Sequence, residues 1–187
     1  MEDKKIKGKG LTTEIKLPKD VQIQLDKRIL ILKGPKGEVK RSLLDKNIEI
    51  GHKEGTIILK AHKFIRKNKK LVKSSVAHIR NMIRGCVEGH KYALKICSGH
   101  FPMNVSVNNN QLIIKNFLGE KVPRTLDLKS GANVKVENDL VIVESTSKEI
   151  AGQVSADIET LTKRTGYDGR IFQDGLWIVT KDNKEVK

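Results

Sequence analysis

The sequence predicts an α+β protein of two similar domains that arose by internal duplication, each a small antiparallel sheet packed by one helix. Three observations carry this expectation. The same order of apolar segments runs along the chain twice, once on each side of about residue 90. The segments are short, alternate apolar with polar residues, and are bounded by Gly, Asn and Asp, the pattern of half-buried strands joined by turns. Each series then ends in a longer stretch whose apolar residues recur at helical spacing.

Taken in order, the first half reads TEIKLP, VQIQL, ILILKGPKGEVKRSL, IEI and TIILK before its helix. The second reads ICSGHFP, VSV, LIIKNFLGEKVPRTLDL, VKV and LVIVES before its own. This alignment sets Pro18 against Pro102, Val21 against Val105, Arg41-Ser42-Leu43 against Arg124-Thr125-Leu126, and Ile57 against Val141. Gly34-Pro35-Lys36-Gly37 and Gly119-Glu120-Lys121 read as the equivalent hairpin turns; Asn108-Asn109-Asn110 and Glu137-Asn138-Asp139 mark further turns. The first helix is expected over residues 71–87, burying Val72, Val76, Ile79 and Ile83. The second opens on a capping box, Thr146 with Glu149, and buries Ile150, Val154, Ile158 and Leu161. Asp174-Gly175 reads as a hairpin turn whose flanking Phe172 and Trp177 are expected to pack in the core, with base stacking as the alternative. The domains are expected over residues 11–90 and 91–181, with a flexible basic tail over 1–10 and a second tail over 182–187.

Charge narrows the class of partner. The 187 residues carry a formal net charge of +15, where about 2 to 8 units suffice for solubility. All of it lies before Ile96: residues 1–95 hold 25 Lys and Arg against 10 Asp and Glu, and the remainder holds 12 against 12. A segregated excess of this kind is self-repulsive unless a polyanion relieves it, which points to nucleic acid. A membrane partner is not expected, because apolar runs such as 29–32 and 141–143 are far shorter than the roughly 18 residues of a spanning helix. The N-terminus lacks the apolar stretch of a secretory signal, so Cys86 and Cys97 read as reduced thiols of a cytosolic protein.

Two groups of residues are candidates for RNA contact. The first is the cluster Lys63, Arg66, Lys67, Lys69, Lys70 and Lys73, leading into the first helix. Along that helix Lys73, Arg80 and Arg84 share a stripe within about 40°, a quarter-turn from the apolar face. The second group, a candidate only through the family resemblance set out below, is Lys163, Arg164, Arg170 and Lys181, clustered with Gly166 and Gly169, with His100. Residues 162–169 show no period and are expected to take their shape from RNA.

Other motifs have plainer readings. Gly34-Pro35-Lys36-Gly37 matches the GXXG of KH domains, but that loop joins two helices and this one joins two strands. Cys86, His90, Cys97 and His100 are spaced like an irregular zinc site, yet they straddle a helix end and a strand, where residues 97 and 100 point to opposite faces. No metal and no cofactor is expected. The five histidines and Asp174 are unaccompanied by a paired-carboxylate pattern, a nucleophile elbow or a P-loop, so no enzyme activity is expected.

The segments HIRNMIRGCVEGHKYALKI, GHFPMNV and NFLGEK, together with LKGPKGEVKR near the start and RIFQDGLWIV near the end, resemble one ribosomal family in consistent order from residue 15 to 181. It is the large-subunit family numbered six in bacteria and nine in eukaryotes, in its archaeal and eukaryotic branch. Trp177 stands where that branch has Tyr or Phe, and Gln153 also fits. The resemblance implies two similar domains and a cytoplasmic, ribosomal location, nucleolar during assembly in a eukaryote. It implies partners that are large-subunit ribosomal RNA and neighbouring large-subunit proteins, with elongation factors nearby. It places the second domain against the sarcin-ricin stem, although that half is neutral; local charge around 163–181 reconciles the two at a Debye length near 10 Å. The alternatives are an RNA-binding assembly factor and an RNA-modifying enzyme.

Overall fold

The protein is described by a computed structural model covering residues 10–18, 20–26, 29–42, 48–53, 55–63, 65–182 and 184–186. The expected N-terminal tail, apart from Gly10, lies outside these residues, as does Leu43. The chain divides into two compact units, the first ending at Glu88 and the second beginning at Gly89.

The first unit contains β1 (Leu11–Lys16), β2 (Gln22–Asp26), β3 (Ile29–Gly34), β4 (Gly37–Ser42), β5 (Ile48–Lys53), β6 (Thr56–Ala61) and α1 (Arg66–Val87). Its strands form two antiparallel sheets, ordered β1-β6-β5 and β2-β3-β4, where the sequence pattern suggested one. The reason is topological. The last strand, β6, returns to pair with the first, and the hairpins between them are left to form a sheet of their own. Period-two burial holds in both: Leu30 and Leu32 in β3, and Ile57 and Leu59 in β6, are fully buried.

Helix α1 covers these faces with Val72, Val76, Ile79, Met82 and Cys86. Burying one aliphatic side chain of this size contributes roughly 1.5–3 kcal/mol. The β3–β4 turn abuts the end of α1. The Lys36 amide donates to the Cys86 carbonyl at 3.0 Å, and the Cys86 thiol donates to the Leu32 carbonyl at 3.4 Å. A Cβ at Gly34 would fall 2.7 Å from the Cys86 carbonyl oxygen, so only glycine permits this approach.

The second unit repeats the plan with β7 (His90–Cys97), β8 (Asn104–Asn108), β9 (Gln111–Lys115), β10 (Arg124–Asp127), β11 (Ala132–Glu137), β12 (Leu140–Ser145) and α2 (Lys148–Thr162). It then adds β13 (Gly175–Lys181) and β14 (Lys184–Glu185). The sheets are β10-β9-β8 and β11-β12-β7-β13-β14. Thus β7 lies beside β12 as β1 lies beside β6, and β13 occupies the other edge of β7.

Strand register corrects parts of the sequence alignment. The pair Ile57 and Val141 holds, since each is the second residue after an equivalent hairpin and faces Ile15 and Leu94 respectively. In the middle sheet, Ile23 faces Leu32 as Val105 faces Ile114, so Val21 is two residues out of register with Val105. Pro18 and Pro102 stand at different points of loops of unequal length, and Arg41 and Arg124 face non-equivalent residues. For the arginines the cause is turn length: Gly34-Pro35-Lys36-Gly37 is a tight hairpin turn, whereas residues 116–123 form a longer connection containing a 3-10 turn, Phe117–Gly119.

Other local expectations are also revised. Both Asn-rich turns form as expected, with Asn109, Asn110 and Asn138 in the left-handed region. The residue capping α2 is Ser147, not Thr146, and no side chain caps the helix. Asp174 does not make a hairpin turn, and Trp177 does not enter the core: it is 40% exposed, its indole N–H bonded to the Gln173 carbonyl. Residues 182 and 184–186, expected within a tail, belong to the second unit. Asp182 is buried, its carboxylate 2.7 Å from His90 Nδ1 and 3.2 Å from Lys148 Nζ, and β14 pairs with β13.

Candidate nucleic-acid interface

The first basic surface is built by the entry to α1. The helix starts at Arg66, five residues before the apolar periodicity begins, because nothing in 66–70 breaks a helix and Asn68 is buried as an anchor. Its side-chain amide donates to the Lys63 carbonyl at 2.9 Å. Lys63, Arg66, Lys67, Lys69, Lys70 and Lys73 are all exposed. The first turn holds no acidic residue, and no side chain caps the N-terminus at Ile65. Cations are therefore gathered where the helix dipole is already positive, an arrangement that repels itself and attracts phosphate.

The expected stripe divides. Lys73 belongs with this cluster, whereas Arg80 and Arg84 line a groove between α1 and β1 together with Glu14 and Glu88. Arg84 Nε bonds the Glu88 carboxylate at 3.2 Å.

The second surface is the segment between α2 and β13. Contacts within the chain give it a shape, where the sequence expectation left that to RNA. The Asp168 carbonyl accepts from the Ile171 and Phe172 amides, and its carboxylate accepts from the Arg170 amide. Phe172 stacks on His100 at 4.9 Å and meets Tyr167 edge-on at 5.1 Å. Below them, Asp174 accepts from the Gly99 and His100 amides and lies 2.5 Å from His100 Nδ1. Burial opposes ionisation of Asp174, but these donors outweigh it and hold its carboxyl below the usual range.

Glu120 ties the other side of this segment. Its carboxylate accepts two hydrogen bonds from Arg124, at 2.7 and 2.8 Å, and another from Arg164. Arg124 also donates to the Leu161 carbonyl at the end of α2, and both guanidiniums lie over the Phe117 ring. Hydrogen bonding from Arg124 first, and then from Arg164, outweighs the burial cost and brings the Glu120 pKa down to about 2. Arg164 is consequently engaged with Glu120 and Tyr167, while Lys163 and Arg170 are exposed at the rim.

Lys181 is not part of this cluster. It lies at the far end of β13 from Gly175, roughly 20 Å away at about 3.3 Å per residue. His100 is present at the surface, 40% exposed. The frame of Phe117, Glu120, Arg124, Tyr167 and Asp174 was not anticipated. The only signal for it was the clustering of Gly, Asp and aromatic residues over 165–175.

Cys86, His90, Cys97 and His100 have separate surroundings. Cys86 bonds the Leu32 carbonyl, His90 bonds Asp182 and His100 bonds Asp174; no three possible metal ligands converge among the described residues. Among the same residues no helix is long and apolar enough to cross a membrane.

Known proteins resemble the chain in both units. The family model described as Ribosomal protein L6 matches residues 17–89 and again 101–175, one match for each unit. The large ribosomal subunit protein uL6 of Methanococcus vannielii is 42% identical over 172 residues, 91% of this chain and 94% of the relative. That of Methanobrevibacter smithii is 38% identical over 173 residues, 92% of this chain and 97% of the relative. That of Methanothrix thermoacetophila is 38% identical over 165 residues, 88% of this chain and 94% of the relative. With its duplicated α+β units matched in order by one family model, the chain belongs to the ribosomal protein L6 family.

Proposed function

We propose that this protein is a structural, non-catalytic constituent of the large ribosomal subunit that binds ribosomal RNA. Its two units, divided between Glu88 and Gly89, offer two kinds of contact. The carrying observation is the exposed cluster Lys63, Arg66, Lys67, Lys69, Lys70 and Lys73 at the positive end of α1, without an acidic residue in the first turn. Such a surface suits phosphate contacts that position the protein without reading sequence. The segment carrying Lys163, Arg164 and Arg170, with His100 beside it, supplies a shaped second contact, and Lys181 contributes at most a separate charge. As the family resemblance implies, this second contact lies against the sarcin-ricin stem near the elongation-factor site, in the cytoplasm and beside other large-subunit proteins.

The tagged protein should co-sediment with large subunits in moderate salt at one copy per particle. Recovery only in the free pool would refute the reading, and sub-stoichiometric association would favour an assembly factor. Replacing Lys67, Lys69, Lys70 and Lys73 by Gln should flatten the slope of log affinity against log salt. The change should be roughly 0.9 for each phosphate no longer neutralised, or about 3.6 if all four lysines bind phosphate. An unchanged slope would remove the α1 cluster from the interface.

A further inference from the structure

The two units share a topology but differ at one sheet edge. In the second unit β7 is flanked by β12 and β13; in the first, β1 pairs with β6 alone among the described residues. Because Ile15 faces Ile57 as Leu94 faces Val141, the stretch of β7 that pairs with β13, residues 92–97, corresponds to residues 13–18. An open groove of about 640 Å³ lies there, lined by Glu14, Ile15 and Lys16 on one side and Arg80, Ile83 and Arg84 on the other.

The helices agree with this correspondence. Val72, Val76 and Ile79 are buried in α1 at the spacing of Ala151, Ser155 and Ile158 in α2, which sets Arg80 against Glu159 and Ile83 against Thr162. In the second unit those two α2 side chains hold β13. Glu159 accepts from the Ile178 amide at 3.1 Å, and Thr162 Oγ1 accepts from the Leu176 amide at 3.0 Å. Their first-unit counterparts both line the groove.

We infer that the groove between β1 and α1 receives an extended strand of a partner protein, acidic and apolar at alternate positions, added antiparallel to β1. The duplicate supplies the template. Leu176 and Ile178, opposite Ile96 and Leu94 of β7, mark where the incoming strand places apolar residues, opposite Leu17 and Ile15. Main-chain pairing to an edge gives such an interaction its affinity, and pockets for alternate side chains give its specificity. Charge selects an acidic strand. The acceptor Glu159 is replaced by the donor Arg80, and the groove is lined by three cations, Lys16, Arg80 and Arg84, against two acids, Glu14 and Glu88, the latter bonded to Arg84. The first 88 residues, with 23 Lys and Arg against 10 Asp and Glu, favour the same partner.

The test uses the full chain and a synthetic heptapeptide alternating leucine or isoleucine with aspartate or glutamate. Controls are its lysine-for-acid counterpart and a version N-methylated at alternate residues. Amide protection in residues 11–16 should rise with the acidic peptide, which should bind at least tenfold more tightly than either control. Arg80→Glu should invert the preference between acidic and lysine peptides. Equal binding of all three peptides, or no added protection in β1, would overturn the inference. So would protection of β1 by an RNA fragment or by a second copy of the chain instead. The N-methylated comparison needs only the unaltered protein, so the inference remains testable if the Arg80 variant fails to fold.

Discussion

Replacing Glu120 by Gln isolates one carboxylate that fastens the segment between α2 and β13. The amide resembles the protonated acid, so it keeps the shape and removes the charge that Arg124 and Arg164 share. Moving the carboxyl from 4.5 to about 2 corresponds to at most roughly 3 kcal/mol, at about 1.36 kcal/mol per unit. With 28% of the Glu120 side chain exposed, solvent screening reduces this to about 1–2 kcal/mol.

The sign follows from the direction of the shift. A carboxyl that titrates lower when folded contributes fully above about pH 4.5, and its contribution is lost as pH falls towards 2. The unaltered protein should therefore exceed Glu120→Gln in stability by about 1–2 kcal/mol at pH 6–7, and the two should converge near pH 2. Asp157, Asp174 and Asp182, whose carboxyls are also held low, are common to both proteins and cancel in the difference. Urea unfolding followed by the fluorescence of Trp177, the only tryptophan, reports on the unit that contains Glu120. A gap that does not change with pH would refute the reasoning, because the loss would then arise from packing and not from ionisation.

Two further substitutions probe the frame of each unit. Gly34→Ala should destabilise the first unit by about 1–3 kcal/mol, since the new methyl meets the Cys86 backbone. Gly51→Ala, with no atom within 4 Å of its Cβ, should be nearly neutral; circular dichroism during urea titration compares them. Asp182→Ala should cost the second unit roughly 2–3 kcal/mol by removing the carboxylate bonded to His90, which is buried at 1% exposure. Asp182→Asn retains an acceptor and suits the left-handed backbone there, so it should cost less than half as much in the same urea assay.

What the sequence revealed was what local periodicity encodes. Alternation in ILILK and TIILK sets Leu30, Leu32, Ile57 and Leu59 inward, and the spacing of Val72, Val76 and Ile79 sets the face of α1. Order along the chain disclosed the duplication, but register depended on turn length. The tight turn after Gly34 and the long connection after Lys115 set Arg41 opposite Leu30 but Arg124 opposite Ile114, two residues out of equivalence. The division into two sheets was hidden because β1 and β6 lie about 45 residues apart in sequence. The basic cluster was legible as composition. The second site was not, because its shape rests on partners remote in sequence: Glu120 with Arg164, and Asp174 with Gly99 and His100. Lys181 showed the limit of reading proximity from sequence, since an extended strand carries it away from Arg170.

The extra strand β13 also sets an order of events during synthesis. β1 to α1 close a complete set of contacts by residue 87, so the first unit can fold as soon as that length has left the ribosome. β7 acquires its second neighbour only when residues 175–181 arrive, about 80 residues after its own emergence. Its sheet therefore has high contact order and a late-closing edge, exposed meanwhile to pairing with other nascent chains. A translational pause after β7 has emerged and before residues 175–181 have left the ribosome would prolong that exposure.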